Sequence, residues 1–410
     1  MGAGTAATGR IEAGHRAGGL SLPALLHERT RANAEFFRRE AARLARVCHQ
    51  MAERFARGGR LVAFGRSPAA RSDARHVAVE FVHPVIVGKR ALPALGLAAE
   101  GGELAGQVAL LAGPEDIAIG FEAFDPAVAG ALRVARERGC LTLAFAAGSG
   151  AEHEFLPPSE DPAVRQELVE TLYHVLWELV HVFFEHRGLL SGRAERERHD
   201  AGASGFLYPF LDEREQRLEP VLEDVARSVV MKSEEVGALR IQTLGENQAE
   251  LGRAAAALRA CFSAGGKLLA LGNGGSATDA MDSVADFRST GGGRWQARAA
   301  IDLTEDPGII TAIANDIGVE AIFLRQVIAY GNAGDALLAL STSGNSLNVI
   351  AALAQARRRG LVTVAMVGYD GGRIAAEELA DHVVVTRSEH IPRIQEAQAS
   401  AYHVLRELVG

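Results

Sequence analysis

Cysteine is scarce in this chain. Cys48, Cys140 and Cys261 stand far apart and form no CxxC pair, which excludes a disulfide framework and a zinc–thiolate site and suits a reducing compartment. No apolar run is long enough to span a bilayer. Positive charge is also short: a formal net charge of −8 argues against a general nucleic-acid binder, which needs a basic surface, but leaves room for one focused anion site. Arginine far outnumbers lysine, which reads as codon bias rather than function. The opening residues are rich in Gly and Ala and lack the apolar core of a signal peptide, so a disordered tail is expected over residues 1–22. These absences point to a soluble cytoplasmic protein with neither membrane nor nucleic acid as partner.

What is present is a repeat. At 410 residues two domains are the natural expectation. Gly58-Gly59-Arg60-Leu61-Val62-Ala63-Phe64-Gly65 returns as Gly265-Gly266-Lys267-Leu268-Leu269-Ala270-Leu271-Gly272. Each is a Gly-Gly turn running into a short apolar stretch, the pattern of a buried parallel strand. Ala131-Leu132 and Ala135-Arg136-Glu137-Arg138-Gly139 return as Ala352-Leu353 and Ala356-Arg357-Arg358-Arg359-Gly360, each predicting a helix ended by Gly. Gln166-Glu167 with Tyr173-His174-Val175-Leu176 returns as Gln395-Glu396 with Tyr402-His403-Val404-Leu405. Matched blocks in one order imply a duplication. Alternating strands and helices imply an α/β fold in each half, a parallel sheet flanked by helices in a three-layer sandwich.

The polar stretch 191–208, with its charge run at residues 193–198, is expected to link a first domain (23–190) to a second (209–410) that begins with helices. The helix carrying Trp177, Phe183 and Phe184 is expected in a core or interface, with His181 and His186 at the surface or an interface.

Two loops carry candidate chemistry in the second half. Gly272-Asn273-Gly274-Gly275-Ser276 follows a predicted strand and precedes a predicted helix. Glycine lets backbone approach a ligand, and a helix N-terminus offers unpaired N–H groups. Ser341-Thr342-Ser343-Gly344-Asn345-Ser346 follows the next apolar strand and opens another helix. Hydroxyls and terminal amides there form a neutral cradle for a phosphate monoester, although the same residues serve as ordinary N-caps. Two such loops at the carboxyl ends of parallel strands mark a ligand crevice. A dinucleotide fold nearly fits Gly272-x-Gly274-x-x-Ala277, but that motif is weak alone and leaves the serine loop without a role. Asp302, at a strand end, either points into the crevice or caps its own turn.

These loops, together with Asn315-Asp316, Asp370-Gly371-Gly372 and Arg393-Ile394-Gln395-Glu396, resemble the sugar isomerase (SIS) domain family over roughly residues 234–408, and within it the phosphoheptose isomerases. The resemblance implies that Ser276, Ser341, Ser343 and Ser346 bind phosphate, that Asn273, Asp316 and Gln395 line the sugar, and that His403 is catalytic. It also implies a homo-oligomer, dimer or tetramer, that interconverts sedoheptulose 7-phosphate and heptose 7-phosphate.

Such an isomerisation moves a proton between C1 and C2 through an enediol, which calls for a base, an acid and stabilisation of the oxyanion. The family pattern sets His and Glu four residues apart on one helix face. The second half has Asp282 and Asp286 there, whereas the first half keeps His76 and Glu80, with Gln166 and His174 completing its set. Some family members bind zinc at the corresponding His, Glu, Gln and His. The resemblance therefore implies two candidate metal sets, His76/Glu80/Gln166/His174 and Asp282/Asp286/Gln395/His403. The first set is either a functional cluster or a packed relic. In the first half, Glu122-Ala123-Phe124-Asp125-Pro126 replaces the serine loop, and its carboxylates repel phosphate. If the halves pair as family subunits do, His76 and Glu80 approach the second half's loop and form a composite site. The expected function is a phosphosugar aldose–ketose isomerase using His403 with Asp286 or Glu80; the alternative is a non-catalytic sugar-phosphate sensor or assembly protein.

Overall fold

The computed structural model describes residues 22–84, 89–97, 102–185, 189–190, 217–290 and 295–410. The expected tail (but for Leu22), the expected linker and His186 lie outside these residues. The first half runs α1 (Leu22–Ala56), β1 (Leu61–Phe64), α2 (Pro68–Val82), β2 (Ala94–Leu97), α3 (Leu104–Leu111), β3 (Ile117–Gly120), α4 (Pro126–Glu137), β4 (Leu141–Ala144), β5 (His153–Glu154) and α5 (Pro162–Glu185). The second half opens with α6 (Leu218–Glu246) and α7 (Gln248–Ser263). It continues with β6 (Leu268–Leu271), α8 (Gly275–Arg288), β7 (Ala300–Asp302), α9 (Pro307–Asp316), α10 (Ile322–Tyr330), β8 (Ala336–Ser341), α11 (Leu347–Arg358), β9 (Val362–Gly368), α12 (Gly372–Ala376), β10 (His382–Thr386) and α13 (Ile391–Val409).

Two five-stranded sheets result, with orders β2-β1-β3-β4-β5 and β10-β9-β8-β6-β7. Read from the other edge, the second order is the first with each strand replaced by its repeat equivalent. Every strand pair is parallel. The central strands are buried throughout, as their uninterrupted apolar sequences require of a sheet covered on both faces.

The halves meet through equivalent elements: α1 packs on α6, α2 on α8, and α5 on α13. The cores interlock at this seam. Val221, Leu222, Val225 and Val229 of α6 join the first half's core, while Leu25 of α1 joins the core of the second. Trp177 and Phe183 are fully buried in the first half's core. His181, expected at the surface or an interface, is buried in the chain's own interior. Its two ring nitrogens lie 2.8 Å from the Trp177 carbonyl and 2.9 Å from the Arg90 carbonyl, and an N–H donated to a carbonyl offsets part of the cost of burying an imidazole. No helix among the described residues is long and apolar enough to cross a membrane.

Candidate active site

The two phosphate-type loops of the second half are joined at their bases. Asn273 and Asn348 exchange amide hydrogen bonds at 3.0 and 2.9 Å, tying the glycine loop after β6 to the serine loop after β8. Within the serine loop, Ser341 Oγ accepts from Gly344 N at 3.2 Å and lies 3.4 Å from Ser346 Oγ. Ser343 Oγ accepts from Asn345 N at 3.2 Å, and Asn345 Oδ1 accepts from Arg373 N at 2.9 Å. Thr342 and Gly344 pass close under the Gly368–Gly372 turn. Gly274 turns the chain with φ at +58°, a conformation that favours glycine. Gly275 then starts α8, and Ser276 is buried in its first turn. Asp316 ends α9 exposed, bonded by Asn315 at 2.8 Å.

Gly275 places this cradle against the other half. A Cβ there would fall 1.9 Å from Gln395 Nε2 and 2.7 Å from His76 Nε2. His76 sits on α2, its Nδ1 2.9 Å from the Tyr173 hydroxyl. Its Nε2 faces His174 Nε2 at 3.3 Å, Gln395 Nε2 at 3.3 Å and Glu80 Oε1 at 3.8 Å. One turn separates His76 from Glu80 on α2, and two turns separate Gln166 from His174 on α5, which sets each pair on a common face. His76, Glu80, His174 and Gln395 are buried, and Gln166 is half-buried.

A second cluster mirrors the first. His403 Nε2 lies 3.5 Å from Asp282 Oδ2 and 3.4 Å from Asp286 Oδ2. Asp282 also accepts from Gln166 at 2.7 Å and from the Tyr402 hydroxyl at 2.7 Å. The glutamines have thus changed sides relative to the sets expected from sequence. Gln166 of the first half serves Asp282 of the second, and Gln395 of the second half reaches His76 of the first. Docking of α5 against α13 turns each glutamine toward the opposite partner, although each histidine stays with its own α2 or α8 residues.

The electrostatics of the two clusters differ. Burial, reinforced by His174, holds His76 well below its ordinary pKa, so its imidazole is neutral. Burial also pushes Glu80 up to about 7, with Glu178 and Glu396 adding to the effect against His174. Around His403, burial disfavours the charge, but Asp282, Glu167 and Asp286 outweigh it and hold the pKa well above ordinary. Asp286 is pushed up to about 6 by burial, against the pull of His403. The second cluster is charge-paired, with His403 Nε2 between Asp282 and Asp286 but without a hydrogen-bond partner of its own. The first leaves acceptors over: Glu80 Oε2 and Gln395 Oε1 are buried with no hydrogen-bond partner.

Four residues that sequence reasoning left without roles complete the pattern. Glu396 bonds His174 Nδ1 at 3.0 Å and Glu167 bonds His403 Nδ1 at 3.0 Å, each across the seam. Tyr173 and Tyr402 bond the equivalent positions His76 and Asp282 within their own halves. The signal was in the repeat itself, because Gln-Glu and Tyr-His recur as pairs.

Residues 233–368 match the family described as SIS domain. The chain is 41% identical over 188 residues to the phosphoheptose isomerase of Desulfovibrio desulfuricans, covering 46% of this chain and 89% of that protein. It is 44% identical over 155 residues to the phosphoheptose isomerase of Pelobacter propionicus, covering 38% and 81%. Solved structures resemble nearly the whole chain in fold. The C-terminal domain of glucosamine-fructose-6-phosphate aminotransferase from Francisella tularensis matches at a TM-score of 0.61 and 8% identity, over 95% of this chain and 94% of that one. Tagatose-6-phosphate ketose/aldose isomerase from Escherichia coli matches at 0.55 and 12% identity, over 94% and 92%.

Proposed function

Because this chain belongs to the phosphoheptose isomerase family of SIS-domain proteins, we propose that it interconverts sedoheptulose 7-phosphate and heptose 7-phosphate at one composite site built from both halves. The chain is a phosphosugar isomerase; the heptose substrate, the composite site and its residue roles are our reading. In that site Ser276, Ser341, Ser343 and Ser346 grip the phosphate, and Gln395 with Asn273 lines the sugar. Glu80 and His174 act as base and acid. We place the base and acid here rather than at His403 and Asp286 because Gly275 of the cradle lies against His76 and Gln395. The observation that carries the reading is the contact of Gly275, in the cradle, with His76 and Gln395.

The mechanism follows from the placement. The cradle holds the phosphate without a cation, through hydroxyls and helix-terminal amides. With that end fixed, the C1–C2 edge of the sugar extends toward α2. Glu80, whose carboxyl burial pushes up to about 7, is basic enough to take the carbon-bound proton and return it to the neighbouring carbon. Glu396 engages His174 Nδ1 and turns Nε2 toward His76, and that nitrogen exchanges the proton of the substrate oxygens. Water is excluded because the acid–base residues are buried.

The same atoms fit zinc. His76, Glu80 and His174 offer ligand atoms within 4.8 Å of one another, Gln395 adds a carboxamide, and the unpartnered Glu80 Oε2 and Gln395 Oε1 are what a metal-ready donor set leaves over. Zinc bound by these residues would polarise the substrate oxygens as a Lewis acid.

Proton NMR of the protein with sedoheptulose 7-phosphate in deuterated water, with and without zinc, tests the proposal. Aldose phosphate, or deuterium entering at the exchangeable carbon, is expected, and both are to vanish in Glu80→Gln. Ligand binding without turnover or exchange under either condition would overturn it.

A further inference from the structure

His76 faces two groups of side chains, one through each ring nitrogen. Nε2 looks into the composite site, toward His174, Gln395 and Glu80. Nδ1 looks the other way, toward Asp279 Oδ1 at 3.7 Å. Glu170 completes this second group: His76, Glu170 and Asp279 each offer one ligand atom, and these atoms lie within 4.8 Å of one another. The three residues come from α2, α5 and α8, so the group spans the seam between the halves.

The carboxylates of this group lack partners. Glu170 is 3% exposed and Asp279 2%, and Glu170 Oε1 and Asp279 Oδ2 are buried with no hydrogen-bond partner. Carboxylate oxygens taken from water are costly unless a proton or a cation satisfies them. Arg240 acts on Glu170, but its guanidinium donates instead to Asn33, the Glu167 carbonyl and Thr171. Burial first, and then neighbouring carboxylates, hold both acids well above their ordinary pKa. Those neighbours are Asp279, Glu396 and Asp73 for Glu170, and Asp282 and Glu80 for Asp279. A cation seated between them removes the repulsion and fills the empty acceptors together.

The group is not imposed by the duplication. At the mirrored place Ala399 stands for Glu170 and Asp282 for His76, and the set has no counterpart among the described residues. Glu170 therefore does not meet a requirement that both halves share.

We infer that His76 Nδ1, Glu170 and Asp279 form a second divalent-cation site, which takes manganese or a cation of the same oxygen-preferring class. Two carboxylates and one imidazole are a harder donor set than the two imidazoles and one carboxylate around Nε2, which suit zinc. A neutral imidazole has a single lone pair, so His76 serves one set at a time. An ion at the second set takes the lone pair that the Tyr173 hydroxyl, 2.9 Å away, otherwise meets. Manganese should therefore weaken zinc binding at the composite site; that consequence rests on the zinc reading above, whereas the second site does not.

Electron paramagnetic resonance of free Mn²⁺, titrated into the full chain after dialysis against a chelator, tests the inference. One manganese per chain is expected. Asp279→Asn and Glu170→Gln should each weaken it by at least the roughly 10–100-fold that even an outer partner's loss costs a metal, and Glu80→Gln should leave it bound. Manganese should also raise the thermal midpoint of the parent and of Glu80→Gln but not of the other two variants, which separates a lost site from a lost fold. Absence of saturable manganese binding would overturn the inference. Loss of manganese in Glu80→Gln, with retention in Asp279→Asn and Glu170→Gln, would also overturn it and leave the composite site intact. A chain that takes up manganese through Asp279 and Glu170 yet binds no zinc would instead overturn the zinc reading of the composite site.

Discussion

Glu396 of the second half bonds Nδ1 of His174 in the first at 3.0 Å, and the equivalent Glu167 bonds His403 in the opposite direction at 3.0 Å. Each glutamate is itself clamped by an arginine: Arg393 binds Glu396, and Arg29 binds Glu167 at 2.9 Å. A histidine whose Nδ1 is fixed on a carboxylate presents Nε2 in one orientation and one tautomer. Glu396 is thus a positioning residue for His174.

From this, Glu396→Gln should lower kcat roughly 10–100-fold, the usual cost of losing an outer carboxylate partner, with KM changed little. Glu167→Gln touches the ion-paired cluster instead, and should lower stability while kcat stays within several-fold. Steady-state kinetics on both variants separate the cases. Equal losses of kcat would show that the two clusters are not functionally distinct.

Glu80 and Asp286 hold equivalent positions but have opposite surroundings. Glu80 is buried with one oxygen unpartnered beside the cradle, whereas Asp286 pairs with His403 at 3.4 Å. Glu80→Gln is expected to cut turnover by about 10²–10⁴-fold, the range for loss of a general base, and Asp286→Asn to leave it nearly intact. The reverse pattern would move the chemistry to the other cluster.

Gly275→Ala isolates the contact between the halves. The added Cβ would fall 1.9 Å from Gln395 Nε2, closer than any packed carbon sits to an amide. Displacement of Gln395 and His76 should follow, and sub-ångström misplacement of reacting groups costs on the order of 10²-fold in rate. Zinc affinity, measured by competition with a chelator, should fall in the same variant. Full activity would mean that the cradle works without the first half.

Much of this was legible in the sequence because the signals are local. Apolar runs after Gly-Gly turns gave the central strands, and the matched order of blocks gave two sheets of the same topology. The serine loop could be located because it stands with a second such loop at the carboxyl ends of parallel strands, a pairing that N-capping alone does not call for. What could not be read was the partner each helix face meets. Gln166 and Gln395 were assigned to their own halves, since nothing within a helix records that α5 docks on α13. Glu167 and Glu396 went unassigned for the same reason. His181 sat in an apolar helix, and only the fold brings the Arg90 carbonyl to its second nitrogen.

Glu178 offers a test of the seam through pH. Its carboxylate is fully within the interior, bonded by Arg393 at 3.1 and 3.0 Å and by Lys232. Burial opposes its charge, yet Arg393 and then Lys232 outweigh burial and hold its pKa down at about 2, against about 4.3 for an unfolded glutamate. A depressed folded-state value means that the contribution to stability is fully present above the unfolded pKa and is lost as pH falls through the interval from about 4 to about 2. Glu178→Gln leaves two buried cations short of their partner, so a loss of about 3–5 kcal/mol is expected at pH 7. Denaturant midpoints measured from pH 7 to pH 3 should show the variant far below the parent at neutral pH, with the gap narrowing only as the parent's own glutamate begins to protonate below about pH 4. A gap that stayed constant across this range would mean that the Glu178 charge does not hold the halves together.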